Sequence, residues 1–99
     1  MKVWKYRLVW GMNVVQAPAD VLWLTAANQG GFVTVWGLVD EASPKVEQCF
    51  YVAATGEDVP FDWECCNYVG TCAFQEGTLI AHVFALGEEK PRLLTKEGS

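Results

Sequence analysis

From Val3 to Trp10 the chain alternates strictly, with Trp4, Tyr6, Leu8 and Trp10 falling on one side and Lys5 and Arg7 on the other. A period of two residues is the signature of a strand with one face buried, and no helix keeps such a pattern on a single stripe. The constraint recurs along the chain. Val14 to Ala17 reads as a short second strand stopped by Pro18-Ala-Asp20, and Phe32 to Val39 is rich in β-branched and aromatic residues. Val21 to Asn28 is ambiguous, because Pro18 before it and Gly30-Gly31 after it also suit a helix. A hairpin about Gly30-Gly31 explains this run and the next one together, so strand is the expected state.

Asp40 to Pro44 then reads as a loop and Val46 to Thr55 as a strand ended by Gly56. Glu57 to Glu64 carries four acids, a proline and two aromatics, which predicts an exposed loop with anchors. Asn67 to Phe74 and Thr78 to Leu86 predict a last hairpin about Gln75-Glu-Gly77. About six or seven short strands at this spacing point to a mainly β fold, either a small antiparallel sandwich or a partly open barrel. One β domain is expected over residues 1–87, followed by a flexible charged tail over 88–99. The 99 residues include five Trp, five Phe and three Tyr, and 52% are hydrophobic, enough for one core.

No apolar window of about 18 residues could span a bilayer. The opening Met1-Lys-Val-Trp-Lys-Tyr-Arg interleaves charges with rings where a signal peptide needs an unbroken apolar run, so a cytoplasmic protein with reduced thiols is expected.

The net charge of -5 is unevenly laid out: between Val46 and Glu89 there are eight acids and no Lys or Arg. Contacts to phosphate backbones need cations, so direct nucleic-acid binding is not expected, whereas a basic partner would suit. The alternative is an acidic surface that merely keeps a Trp-rich chain soluble.

Phe61-Asp-Trp-Glu-Cys-Cys-Asn-Tyr-Val-Gly-Thr-Cys72 holds three of the four cysteines. Zinc sites draw two ligands from one tight turn, commonly Cys-x-x-Cys, and these spacings are wrong, with Cys49 a strand away and His82 the sole histidine. Packed thiols are the expected state and no metal or other cofactor is predicted. A cysteine nucleophile would need His82 as its base, and His82 lies in the apolar run Leu79 to Phe84. There is no Gly-x-Ser-x-Gly elbow, no EF-hand spacing and no phosphate loop. The carboxylates of the 57–64 run could in principle do acid/base work, but exposed loop acids are usually just solvated. No catalytic residue is assigned and no enzyme is expected.

Recognition remains. Phe61 and Trp63 alternate with Asp62 and Glu64, a pattern that sets rings on one side and acids on the other. The expected partner surface therefore comprises Asp40, Glu41, Glu57, Asp58, Phe61, Asp62, Trp63 and Glu64. The competing expectation is that Phe61 and Trp63 cap the core from a loop. A second reading is a small-ligand site, nucleotide-like in its occupant and formed within a homodimer, using Trp10, Trp36 and Tyr68 with His82 as the polar contact. A third is a structural or virion-associated component.

Trp4-Lys5-Tyr6, Val35-Trp36-Gly37-Leu38-Val39-Asp40 followed by Pro44, and Tyr68-Val69-Gly70-Thr71 with Gly77 to Phe84 resemble a family of small uncharacterised proteins carried by bacteriophages and prophages. The resemblance covers most of residues 2–86. In that family the position of Cys72 tends to hold a large apolar residue, which implies a core role here. A Gly-Thr-Gly-His step of the family is replaced by Ala54-Thr55-Gly56-Glu57, whereas His82 matches the family pattern. The resemblance lends no activity. It implies a phage accessory or anti-defence factor, either a binder of a host protein, for which the acidic face calls for a basic surface, or a sequestering protein for a small signalling molecule.

Overall fold

The computed structural model describes residues 1–62, 64 and 66–87. They contain seven strands: β1 (Lys2–Leu8), β2 (Gly11–Pro18), β3 (Leu22–Gln29), β4 (Phe32–Val39), β5 (Lys45–Ala54), β6 (Asn67–Phe74) and β7 (Leu79–Gly87). Trp63, Cys65 and the predicted tail over 88–99 lie outside the described residues.

The strands form two antiparallel sheets, a three-stranded one in the order β1-β4-β3 and a four-stranded one in the order β2-β5-β7-β6. The sheets are not closed into a barrel, so of the two predicted architectures the sandwich is the one adopted. Val21 to Asn28 resolves as strand, because its neighbour β4 supplies a ladder from Leu22↔Leu38 to Gln29↔Phe32. The turn between them has Gly30 at φ 63° and Gly31 at φ 90°, the two left-handed positions that a type I′ hairpin requires. The Asn28 side chain accepts the Gly31 N–H at 2.9 Å and fixes the turn.

Two sequence expectations shift. β1 ends at Leu8, so Trp10 is not on its apolar face; it sits in the corner where the chain changes sheet. Asn13 holds that corner: its Oδ1 accepts the Val9 N–H at 2.9 Å, and its Nδ2 donates to the Val9 and Gly11 carbonyls at 2.8 and 2.9 Å. β2 runs from Gly11 rather than Val14, since β5 pairs with it from Gly11↔Val52 to Pro18↔Lys45. A ladder partner extends a strand past what its own side chains favour.

The main core lies between the sheets. Leu8, Val33, Val35, Phe50, Val52 and Val83 are buried there, with Tyr6 and Trp23 packed against them. Trp23 meets Phe50 edge-on at 4.7 Å and Tyr6 meets Trp23 at 5.4 Å. Each large apolar side chain buried this way stabilises the fold by about 1.5–3 kcal/mol. On one flank β3 and β6 lie against each other: a Cβ on Gly70 would stand 3.0 Å from the Ala26 nitrogen, and Asn28 Nδ2 donates to the Ala73 carbonyl at 3.1 Å. Only a residue without a side chain allows that approach.

Candidate functional site

A second, smaller cluster sits on the outer face of the four-stranded sheet. Tyr51 of β5 and Phe84 of β7 are opposite each other in the ladder, and both rings point away from the main core. Bare sheet aromatics in water would be unfavourable, and the segment after β5 covers them. β5 ends in a tight turn in which the Glu57 N–H donates to the Ala54 carbonyl at 3.1 Å. The chain then returns over the face, and Phe61 inserts between Tyr51 and Phe84 with ring centroids 5.5 and 5.6 Å apart. Tyr68 of β6 extends the row, 5.5 Å from Phe84. Cys49 and Leu86 complete the buried part, with Val59 and Cys66 packed against it.

Glu57 ties this segment to the sheet. Its carboxylate accepts the Tyr51 hydroxyl at 2.7 Å and the Ala54 N–H at 2.9 Å. The Tyr51 hydrogen bond first, and the Ala54 N–H second, hold the Glu57 carboxyl below its ordinary value. The same bond raises the Tyr51 phenol, with burial and the nearby carboxylate charge adding to it. Sequence reading missed Tyr51, whose signal was its place on the outer row of β5, six residues before an acid.

The predicted partner residues therefore separate. Phe61 is only 2% exposed, so it is an internal anchor and not a ring offered to a partner; two facing aromatics give it a better site than water does. Glu57 is engaged at the turn. Asp58, Asp62 and Glu64 are exposed on the returning segment. Asp40 and Glu41 are not part of this group, because the loop that holds them leaves the Lys45 end of β5 and Glu57 leaves the Ala54 end, roughly 30 Å away along a ten-residue strand. There Asp40 accepts the Ala42 N–H at 3.0 Å and Glu41 pairs with Lys2 at 3.4 Å.

The predicted ligand residues are not brought together either. Trp36 lies on the outer face of the three-stranded sheet between Lys5 and Thr25, while Tyr68 and His82 are on the outer face of the other sheet. His82 Nε2 is 2.7 Å from the Thr55 hydroxyl. Trp10 stands apart at one end of the sandwich, on an open cleft of about 480 Å³ that it lines with Phe32, Phe74, Asn28 and Gln75. Gln75 and Glu76, at φ 52° and 57°, make the strained turn on its rim.

Thiol chemistry has no geometry to use at β6 and β7. Cys72 pairs with Ala81 and points into the main core, whereas the next β7 residue, His82, points out. Burial pushes the Cys72 thiol up, against a smaller opposing effect of a backbone hydrogen bond from Thr34. Among the described residues no three His, Cys, Asp or Glu side chains are grouped so as to hold a metal ion, and no helix is long and apolar enough to cross a membrane.

The chain belongs to the family described as a domain of unknown function, DUF7352, whose model matches residues 1–93. No curated protein and no solved structure matches it.

Proposed function

We propose that this member of the DUF7352 family is a non-enzymatic binding protein that engages a basic protein surface through the exposed acids of the 57–64 segment. The carrying observation is that Phe61 and the Glu57–Tyr51 hydrogen bond fasten the segment at two points and leave Asp58, Asp62 and Glu64 facing water. A fastened acidic segment loses little conformational entropy on binding. The described cations do not neutralise it by sequence proximity: Lys2, Lys5 and Arg7 are on β1 of the other sheet, and Lys45 begins β5. Charge of one sign on one side steers a cationic partner and speeds its capture. The resemblance to phage and prophage proteins supports reading the partner as a host protein and the role as that of an accessory or anti-defence factor in the host cytoplasm.

Titrating the isotope-labelled protein with an octalysine peptide tests the placement. At low salt the amides of residues 57–64 shift first, and the shifts fade as salt shortens the Debye length to about 8 Å at physiological strength. Asp62→Lys combined with Glu64→Lys abolishes them. Equal binding by that double variant would refute the placement.

The cleft beside Trp10 supports a second reading, a small-ligand binder, since about 480 Å³ is within the range of ligand pockets, roughly 300–1,000 Å³. A thermal-shift screen against nucleotides separates the two: a ligand well above its Kd raises stability by a few kcal/mol. A flat response removes this reading and leaves the first untouched.

A further inference from the structure

A sandwich of two sheets has four edge strands, here β1 and β3 in one sheet and β2 and β6 in the other. β3 and β6 cover each other, as the approach of Gly70 to Ala26 and the bond from Asn28 to Ala73 require. That leaves β1 and β2, and they differ in chemistry. β1 carries Lys2, Lys5 and Arg7, the usual protection of an edge against pairing with another strand. β2 is Gly-Met-Asn-Val-Val-Gln-Ala-Pro, eight residues with no charge, paired among the described residues only on its β5 side. Met12 and Val14 are 41% and 46% exposed on its outer side, and Val9 and Trp10 are exposed just before it.

We infer that β2 is a self-association edge: two copies of the chain pair their β2 strands antiparallel about a twofold axis, joining the two four-stranded sheets into one. An unpaired backbone edge is complementary to another strand and to little else. The choice of a second copy follows from charge. Two chains of net charge -5 repel over most of their surface, and β1 would set cations against cations, but β2 meets its own copy with no charge on either side.

The register follows from side-chain parity. Residues directly opposite in an antiparallel pair point to the same face, so even positions must meet even positions. Centring the axis on Val14 pairs Val14 with Val14, Met12 with Gln16, Asn13 with Val15 and Gly11 with Ala17. Pro18, which has no N–H to donate, then lies outside the ladder; centring on Val15 would bring it inside, opposite Met12. The contact is isologous and closes at two copies, so it forms a dimer and not a fibre.

Light scattering on the full chain at micromolar concentration reads the state directly. The expected result is twice the 11.0 kDa chain mass. Val14→Lys sets two ammonium groups against each other at the axis and is expected to raise the dimer Kd about tenfold or more. Val3→Lys, at an exposed β1 position, leaves the dimer intact. Mixing Val14→Lys with Val14→Glu restores a heterodimer, which a merely misfolded variant cannot do. If Val14→Lys fails to fold, the double variant Met12→Lys with Gln16→Lys, at two exposed positions that face each other across the axis, sets ammonium against ammonium twice and provides the same weakening. A monomeric wild type, larger species that grow with concentration, or a Val14→Lys protein that dimerises as well as the wild type would each overturn the inference.

Discussion

The two apolar clusters of this molecule are built in different ways. Between the sheets, Phe50, Val52, Val83, Val33 and Val35 come from strands whose own ladders hold them in place, so each layer covers the other. On the outer face of the four-stranded sheet, Tyr51 and Phe84 also come from strands, but they are covered by a segment whose described residues have no ladder beyond an isolated bridge at Phe61. The first cluster is the fold. The second is a clasp, in which one buried ring and one carboxylate hold an acidic segment in place, and it is expected to open while the sandwich persists.

The largest effect should come from the fold. Phe50→Ala removes a side chain with no exposure at the centre of the aromatic contact with Trp23, and should cost about 3–5 kcal/mol in a denaturant melt. If it costs no more than the same change in the clasp, the distinction between the clusters fails. Phe61→Ala is expected to cost less, about 2 kcal/mol, because the segment can partly collapse onto the gap. Its signature is local: hydrogen exchange should accelerate across residues 54–62 while the amides of β4 and β7 stay protected. Loss of protection throughout would make Phe61 part of the fold.

The same substitution should act with opposite sign in the two places. The Tyr6 hydroxyl is buried in the main core with no hydrogen-bond partner among the described residues, and burial raises its pKa. Tyr6→Phe removes that desolvated group and should stabilise the protein by about 1 kcal/mol. Tyr51→Phe removes the donor to Glu57 and should destabilise slightly, in a pH-dependent way. The Glu57 pKa is lowered from 4.5 in the folded state, so its contribution is present above that value and is lost as pH falls through the folded pKa. The Tyr51 pKa is raised from 10.0, so its contribution is present below that value and is lost as pH rises through the folded pKa. The difference in Tm between wild type and Tyr51→Phe should therefore be flat between about pH 5 and 9 and shrink on both sides. A difference that does not change with pH would show that the hydrogen bond has no part in holding the segment.

Much of the fold was legible. The alternation at Trp4, Tyr6 and Leu8, the Gly30-Gly31 turn and the last hairpin about Gln75 to Gly77 all specify local geometry, and the strands stand where they put them. The candidate site was legible only as a list of residues. Phe61 read as a partner anchor because the pattern Phe-Asp-Trp-Glu does not say which ring has an internal socket. Asp40 and Glu41 joined the same expected face because nothing local sets the length and direction of β5 against the loops at its ends. Trp36, Tyr68 and His82 shared a pocket on paper, and a sandwich with two outer faces puts Trp36 on one and Tyr68 with His82 on the other.

What the residues determined alone is which stretches are strands and which face of each is apolar, because side-chain sterics and a two-residue period act within a few neighbours. Which strands pair, which edge is left uncharged and open, and which aromatic row the returning segment covers were decided by tertiary packing. Those are matters of which apolar surface finds a partner, and the partners lie tens of residues away.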